Sequence, residues 1–312
     1  MASWQSRLIN FLMRQNLRTM DKLNIRVWNE HTSVQAWRDY CENGASKAKL
    51  LPGVEVIPVN IPGLPSGLAA EWLQPTQPIS ADAVIFYTHG GGYLSGSCSD
   101  HRALVSGLVA ASGLRLLLFE YRIAPEHPFP AALDDAILAY RWLLTQIAPS
   151  TRVIIAGESA GGGLCLATLL ALKDLSAQGD PLKLPVIGVS ISPTTDMKLT
   201  GKPNLVKGSV EPVNMRYWCS KYYVGENDPA HPYISPLYGD LCGLPPLLLT
   251  VGDAEENLDD SVRFAERAKA AGVDVRLIIG EGQMHCYPLF PGFIPESKYA
   301  MDEIRNFIHQ HI

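Results

Sequence analysis

Runs of lysine and arginine are absent from this sequence. Its 312 residues include 26 basic and 31 acidic side chains, which give a formal net charge of −5, and the two signs are mixed along the chain. Proteins that bind polyanions concentrate positive charge in runs or patches. The sequence therefore predicts no nucleic-acid partner, and it shows no basic face for an anionic lipid.

Long apolar runs are absent as well. The longest candidate, residues 107–119, is interrupted by Arg115, whereas a membrane-spanning helix needs about 18 or more consecutive apolar residues. The apolar patch at residues 8–13 is followed at once by Arg14 and lacks the small-residue cleavage site of a secretion signal. We expect neither a membrane span nor a signal peptide.

The start of the chain has an amphipathic pattern instead. Trp4, Leu8, Phe11 and Leu12 fall on one face at helical spacing. We expect a helix that lies with this apolar face on the body of the protein. Attachment of the helix to a membrane surface is the alternative.

Closely spaced cysteine pairs are also missing. Zinc sites and disulfide scaffolds need such pairs or a high density of cysteines, so we predict no metal site and no disulfide framework. Free thiols suit a reducing compartment, and we therefore expect a cytoplasmic protein. The six cysteines are scattered at Cys41, Cys98, Cys165, Cys219, Cys242 and Cys286.

Short β-type segments alternate with longer helical ones from about residue 83 onward. Most of the β-type segments are nearly continuous Val, Ile and Leu, which is typical of strands buried on both faces. The alternation predicts an α/β fold with a mostly parallel, eight-stranded sheet and helices on both faces. The predicted strands are residues 54–61, 68–73, 83–88, 114–120, 152–156, 186–190, 246–251 and 274–279, and the predicted helices are residues 101–111, 131–146, 160–173, 258–271 and 296–311.

Two regions do not follow this alternation, residues 1–50 and residues 197–238. We predict that they form one helical cap on a catalytic domain made of residues 51–196 and 239–312. An insertion of this length is usually functional, and it would lie at the C-terminal edge of the strands, where ligands bind. Alternatively, the large side chains of the insertion only pack against the N-terminal helices; these are Met215, Tyr217, Trp218, Tyr222 and Tyr223.

A serine lies in a tight turn between the strand at residues 152–156 and the following helix. Residues 157–162 read Gly-Glu-Ser-Ala-Gly-Gly, the G-x-S-x-G pattern of a nucleophile elbow. The turn leaves no room for side chains at the glycines, and the helix N-terminus favours negative charge nearby. Ser159 is the predicted nucleophile. A dinucleotide site is the alternative, but neither G-x-G-x-x-G nor a P-loop Gly-Lys-Ser/Thr is present.

Three consecutive glycines follow the strand at residues 83–88, where residues 89–93 read His-Gly-Gly-Gly-Tyr. Backbone N–H groups without neighbouring side chains can approach a developing oxyanion. The N–H of the residue after the nucleophile supplies the other half of such a hole. Gly91, Gly92 and Ala160 are therefore the predicted oxyanion hole.

A serine hydroxyl needs a general base, which in this order of motifs comes last in the chain. His285 lies in a glycine-containing loop directly after the last predicted strand, whereas His309 and His311 lie on the terminal helix. His285 is the predicted base.

These motifs resemble the hormone-sensitive-lipase branch of the α/β-hydrolases, a bacterial family of small carboxylesterases. The resemblance covers nearly the whole chain and includes residues 121–132, which read Tyr-Arg-Ile-Ala-Pro-Glu-His-Pro-Phe-Pro-Ala-Ala. In that stretch we expect Arg122 to pair with Asp134 or Asp135. The resemblance implies an α/β-hydrolase fold, a Ser/His/acid triad, a cap built from the N-terminus and an insertion, no cofactor, and a homodimer as a frequent assembly.

The triad acid departs from the commonest family pattern, Asp-Pro-Leu-x-Asp. The corresponding residues 252–260 read Gly-Asp-Ala-Glu-Glu-Asn-Leu-Asp-Asp. Matching Asp259 to the last position of the pattern puts Glu255 first, and a glutamate can orient the histidine as an aspartate does. Glu255 is the favoured acid and Asp253 the alternative, while Asp259 is interpreted as a carboxylate at a helix start.

We therefore expect a carboxylic ester hydrolase that forms an acyl-enzyme. The cap residues indicate an apolar pocket of modest size, which favours short- to medium-chain esters. A lactone hydrolase is the alternative within enzymes, and amide cleavage is less favoured because an amine leaving group demands more of the acid catalyst. The alternative from another class is a non-catalytic ligand-binding protein on the same fold, against which the presence of His285 argues.

Overall fold

Eight strands form one sheet through the centre of the molecule. The computed structural model describes residues 2–45, 48–77, 82–202, 211–290 and 292–312. The strands are β1 (Val54–Val59), β2 (Ala70–Pro75), β3 (Ala83–Thr88), β4 (Arg115–Phe119), β5 (Arg152–Glu158), β6 (Ile187–Ile191), β7 (Leu247–Gly252) and β8 (Val275–Gly280). Their order is β1-β2-β4-β3-β5-β6-β7-β8, with β2 antiparallel to both β1 and β4 and all other pairs parallel.

Helices cover both faces of this sheet. The helices are α1 (Trp4–Lys22), α2 (Val34–Ala45), α3 (Cys98–Ser112), α4 (Ala131–Gln146), α5 (Ala160–Ala177), α6 (Met215–Val224), α7 (Leu258–Ala270) and α8 (Pro295–His311). One hydrophobic core holds α4, α5 and α7 against the sheet, and a second core on the opposite face holds α3 and α8. The predicted fold class, with its eight-stranded and mostly parallel sheet, is confirmed.

The central strands are buried because both of their faces are covered. Every residue of β3, β6 and β7 is buried, as expected for near-continuous runs of Val, Ile and Leu in a parallel sheet. Burial of apolar surface stabilises the folded state by roughly 25 cal/mol per Å². The buried central strands are therefore a stable base for the residues that follow them. The C-terminal ends of β3, β5, β6, β7 and β8 meet at one edge of this base.

Helix α3 begins at Cys98, three residues before the predicted start. Ser97 and Asp100 form a capping box, in which the Ser97 side chain accepts from the Asp100 N–H and the Asp100 carboxylate accepts from the Ser97 N–H. These two hydrogen bonds satisfy free N–H groups of the first turn. Apolar periodicity begins later than this polar cap, which explains the difference.

Helix α1 forms where it is predicted, but the expected orientation is wrong. Trp4, Leu8, Phe11 and Leu12 are 66%, 46%, 58% and 50% exposed, respectively. The opposite face of the helix holds it to the protein, where Ser6 Oγ donates to Gln283 Oε1 at 3.1 Å. Specific polar contacts of this kind are not visible in a hydrophobic periodicity.

The two regions predicted as the cap are joined by backbone hydrogen bonds. The Trp28 N–H donates to the carbonyl of Val213 at 2.9 Å, and the Val213 N–H donates to the carbonyl of Arg26 at 2.7 Å. Residues 203–210 of the predicted insertion lie outside the described residues.

Among the described residues, one helix is long and apolar enough to cross a membrane, the 18-residue helix α5, and 72% of it is buried inside the protein. It packs on β5 and β6 and begins directly after Ser159. Its apolar composition is explained by its position in the core of the fold.

Candidate active site

Ser159 lies at the tip of a strained turn between β5 and α5. Its backbone adopts φ 56° and ψ −123°, a conformation that L-residues rarely adopt and that costs on the order of 1–3 kcal/mol. A Cβ on Gly157 would lie 2.4 Å from the carbonyl oxygen of Gly161, and a Cβ on Gly161 would lie 2.2 Å from that of His89. The close approach of these backbones therefore requires both glycines.

A continuous hydrogen-bonded chain links the three predicted triad residues. His285 Nε2 lies 2.8 Å from Ser159 Oγ, and His285 Nδ1 lies 2.5 Å from Glu255 Oε2. With the proton on Nδ1, the imidazole donates to the carboxylate and accepts from the serine hydroxyl. This arrangement can withdraw the proton from Ser159.

Glu255 is fully buried and held in a fixed orientation. Its Oε1 accepts from Ser192 Oγ at 2.7 Å and from the Gly252 N–H at 2.6 Å, which leaves Oε2 directed at His285. Ser192 Oγ in turn accepts from the Cys286 N–H at 3.0 Å. Ser192, at the end of β6, therefore connects the acid to the loop of the base. No sequence pattern indicated it.

The two other carboxylates considered for the triad, Asp253 and Asp259, make different contacts. Asp253 Oδ1 accepts from the Gly282 N–H at 2.6 Å, so its carboxylate braces the loop that carries His285. Asp259 is in the first turn of α7 and lies 3.5 Å from Arg263 Nη1. The structure thus places only Glu255 of these three carboxylates in hydrogen-bond contact with His285. Arg122, for its part, pairs with Asp135 rather than Asp134, at 2.8 Å.

The surroundings of His285 favour its protonated form. Burial alone would lower its pKa, but the neighbouring Cys286 and the Glu255 carboxylate raise the pKa of His285 well above its ordinary value. An opposite charge in hydrogen-bond contact stabilises the imidazolium. Such an imidazolium forms when Ser159 gives up its proton.

The predicted oxyanion hole has free donors. In the part of the chain that the structure describes, the N–H groups of Gly91, Gly92 and Ala160 donate to no protein acceptor. Gly91 has φ +114°, and a Cβ there would lie 2.2 Å from the carbonyl oxygen of Ser95. The tight fold of this loop therefore requires glycine at position 91. The N–H groups of the loop remain available to a ligand oxygen beside Ser159.

Two residues that the sequence analysis missed, the buried Glu158 and the partly buried His101, hold this glycine loop. Glu158 Oε1 accepts from the Gly90 N–H at 2.7 Å and lies 3.0 Å from His101 Nε2. Burial alone would lower the pKa of His101, but Glu158 and Asp100 raise it to about 10. His101 is therefore an imidazolium at neutral pH. This glutamate occupies the first of the two variable positions of the G-x-S-x-G motif, and that position is the one signal in the sequence for its role.

Ser159 and His285 open onto a cavity of about 350 Å³. Its volume is at the lower end of the range for small-molecule sites. Five methionines line it, whereas of the large side chains predicted for the cap insertion only Met215 does so. Tyr223 instead stacks on Tyr93 with ring centroids 3.6 Å apart. The lining methionines are Met13, Met20, Met197, Met215 and Met284.

A second carboxylate approaches the base from the cap. Glu211 Oε1 lies 3.6 Å from His285 Nδ1, and burial raises the pKa of Glu211. Glu211, Glu255 and His285 have ligand atoms within 4.8 Å of one another. A cation bound there would compete with Glu255 for Nδ1 of His285 and would break the hydrogen-bonded chain. The geometry therefore suits proton transfer better than metal binding.

Fold and site together define an α/β-hydrolase, and comparison with known proteins agrees. The sequence profile of the α/β-hydrolase fold family matches residues 85–289. An esterase of Acinetobacter venetianus is 31% identical over 308 residues, 97% of this chain and 96% of its own. An acetyl-hydrolase of Streptomyces hygroscopicus is 38% identical over 243 residues, 77% of this chain and 79% of its own.

A solved structure indicates which family of α/β-hydrolases the chain resembles. An esterase from the bacterial hormone-sensitive lipase family superposes with a TM-score of 0.83 at 34% identity, and the match covers 100% of both chains. The chain belongs to the hormone-sensitive-lipase family of α/β-hydrolases, and it is a carboxylic ester hydrolase.

Proposed function

We propose that the protein hydrolyses short- to medium-chain carboxylic esters with Ser159 as nucleophile, His285 as general base and Glu255 as the acid that orients it. The observation that carries this proposal is the hydrogen-bonded chain from Ser159 Oγ through His285 to Glu255 at the wall of a cavity. The same contacts argue against a non-catalytic binding protein, since such a protein has no need of an aligned base.

Acyl transfer follows from the positions of the atoms. His285 Nε2 takes the proton of Ser159 Oγ while that oxygen attacks the ester carbonyl. The N–H groups of Gly91, Gly92 and Ala160 stabilise the oxyanion, and each such donor is worth roughly 2.7–4 kcal/mol of transition-state stabilisation. The imidazolium then protonates the leaving alcohol. Water, activated by His285, releases the acid from Ser159.

The cavity supports the proposed chain length. A cavity of about 350 Å³ that is lined in part by methionine side chains accommodates a small acyl group and a small alcohol. Methionine is unbranched and adaptable, so such walls tolerate several shapes of similar size. The related acetyl-hydrolase is named for a short acyl group, which agrees with this size.

Hydrolysis of a p-nitrophenyl ester series from acetate to palmitate tests the proposal. We expect an optimum among the short and medium chains and no measurable turnover in Ser159→Ala. Ser106→Ala is the matched control, since Ser106 is also buried but lies on α3 and does not line the cavity; its Oγ donates to the carbonyl of Ala103 and accepts from the Leu51 N–H. Residual activity in Ser159→Ala, or a rate that rises steadily with chain length, would contradict the proposal. Hydrolysis of a parallel series of lactones measures the preference between open-chain esters and lactones.

A further inference from the structure

The exposed apolar side chains of α1 form a continuous line, which we call the α1 stripe: Trp4, Leu8, Phe11 and Leu12. Their spacing of four, three and one residues keeps them on one side of a helix. Each of them is at least 46% exposed, although large apolar side chains are normally covered. The hydrolytic site makes no use of the stripe, because none of its four residues lines the cavity.

The opposite side of α1 is fixed to the catalytic loop. Ser6 Oγ donates to Gln283 Oε1 at 3.1 Å, and Asn10 Nδ2 donates to the carbonyl of Gly282 at 3.3 Å. Met13, on the same helix, lines the cavity. The stripe therefore faces outward from a helix that contacts the loop of His285.

Positive charge accompanies the stripe. The sequence of α1 contains Arg7, Arg14, Arg18, Lys22 and one acid, Asp21, although the whole chain has a net charge of −5. Asp21 is itself paired with a cation outside the helix, Arg26, at 2.8 Å. Helical spacing puts Arg7 and Arg18 in line with Phe11, four residues before it and seven after it. Arg7 and Arg18 thus place positive charge beside the stripe once the helix forms.

We propose that α1 docks the protein on an anionic lipid surface, with the α1 stripe entering the interface and its cations binding the headgroups. Tryptophan, phenylalanine and leucine on one side of a helix, flanked by arginine and lysine, are typical of helices that lie in the plane of a membrane interface. A second copy of the chain fits the stripe less well. A two-fold contact through α1 would bring two cationic helices together, and like charges repel.

Vesicle sedimentation tests the proposal, with vesicles of phosphatidylcholine alone and of an equimolar mixture with phosphatidylglycerol. We expect binding to the mixed vesicles that weakens at high salt. Leu8→Gln/Phe11→Gln should lower the partition coefficient at least tenfold, since burying either side chain alone contributes about tenfold or more to binding. Arg7→Gln/Arg18→Gln should lower it roughly 30-fold at low salt, because each cation near an anionic surface contributes about fivefold.

Ile57→Gln/Leu184→Gln is the matched control. Both residues have exposed apolar side chains and lie outside α1. Ile57 is on β1, at the opposite edge of the sheet from β8, and the loop that α1 contacts follows β8. This control should bind vesicles as the unmodified protein does, and all three variants should hydrolyse soluble p-nitrophenyl acetate at unchanged rates. The proposal is overturned if the unmodified protein fails to bind mixed vesicles, or if Leu8→Gln/Phe11→Gln binds them equally well. Light scattering that shows a dimer abolished by Leu8→Gln/Phe11→Gln would assign the stripe to a second copy instead.

Discussion

Replacing Glu255 with glutamine probes the triad with almost no change of shape. Glu255 Oε1 already accepts two hydrogen bonds, from Ser192 Oγ and the Gly252 N–H. The oxygen of a glutamine amide must take this position, so its NH₂ group faces Nδ1 of His285. Nδ1 then has to accept, and the ring proton moves to Nε2, where it points at Ser159. A base with its proton on that nitrogen cannot take another from the serine.

The expected loss can be worked from the same contacts. Restoring the productive tautomer would set two donors against each other at a buried site, which costs roughly 1–3 kcal/mol. Loss of the carboxylate also removes about 4 kcal/mol of attraction to the imidazolium at an effective dielectric constant near 20. Together these terms correspond to a decrease in kcat of about 10⁴.

Steady-state hydrolysis of p-nitrophenyl acetate measures this effect, and circular dichroism checks the fold. We expect KM to change little, because Glu255 does not line the cavity. Asp253→Asn is the control, since an amide oxygen can still accept from the Gly282 N–H, and it should lose less than about tenfold in kcat. A decrease of less than tenfold in a folded Glu255→Gln variant would refute the assignment of the acid.

Three further perturbations test other parts of the site. The pKa of His285 is raised, so kcat/KM should fall with decreasing pH at a midpoint above pH 6.5, as His285 becomes protonated. In a pH–rate profile of Glu255→Gln, the residual activity should fall at a lower pH, because the carboxylate that raises this pKa is gone. Gly161→Ala should abolish activity and lower the urea midpoint, because its Cβ would lie 2.2 Å from two carbonyl oxygens; unchanged midpoint and rate would refute the close approach. His101→Gln should lower the free energy of unfolding most below pH 6.5. This loss should shrink as the pH rises towards about 10, where the folded wild-type protein loses the His101 charge. Urea unfolding at several pH values measures the loss, and a loss that stays constant with pH would contradict the prediction.

Much of the fold could be predicted because the central strands are buried on both faces. Such strands are almost purely apolar, and their order relative to the helices leaves few topologies. Ser159 and the glycine loop were predictable for a related reason, since a tight turn permits only glycine at certain positions. His285 was predicted from the chain order of the motifs, and Glu255 was predicted by matching its loop to the acid pattern of the family that the sequence resembles.

Residues that act through long-range contacts could not be predicted. Ser192 follows β6 and meets Glu255 only because β6 and β7 are neighbours in the sheet. His101 reaches Glu158 across 57 positions of the chain, and Glu211 reaches His285 from the cap. The predicted orientation of α1 was wrong because the inward face of the helix combines polar contacts of Ser6 and Asn10 with core contacts of Leu17 and Met20. The hydrophobic periodicity had singled out the opposite, exposed face.

The central claim is that Ser159 forms the covalent intermediate, and active-site labelling tests it most directly. The protein is treated with a fluorophosphonate ester, digested and mapped by mass spectrometry, with Ser159→Ala as the control. We predict one modified peptide, with the phosphoryl group on Ser159, and loss of esterase activity in proportion to the labelled fraction. Label on another residue that accompanies inactivation, or full activity after Ser159 is completely modified, would contradict the account.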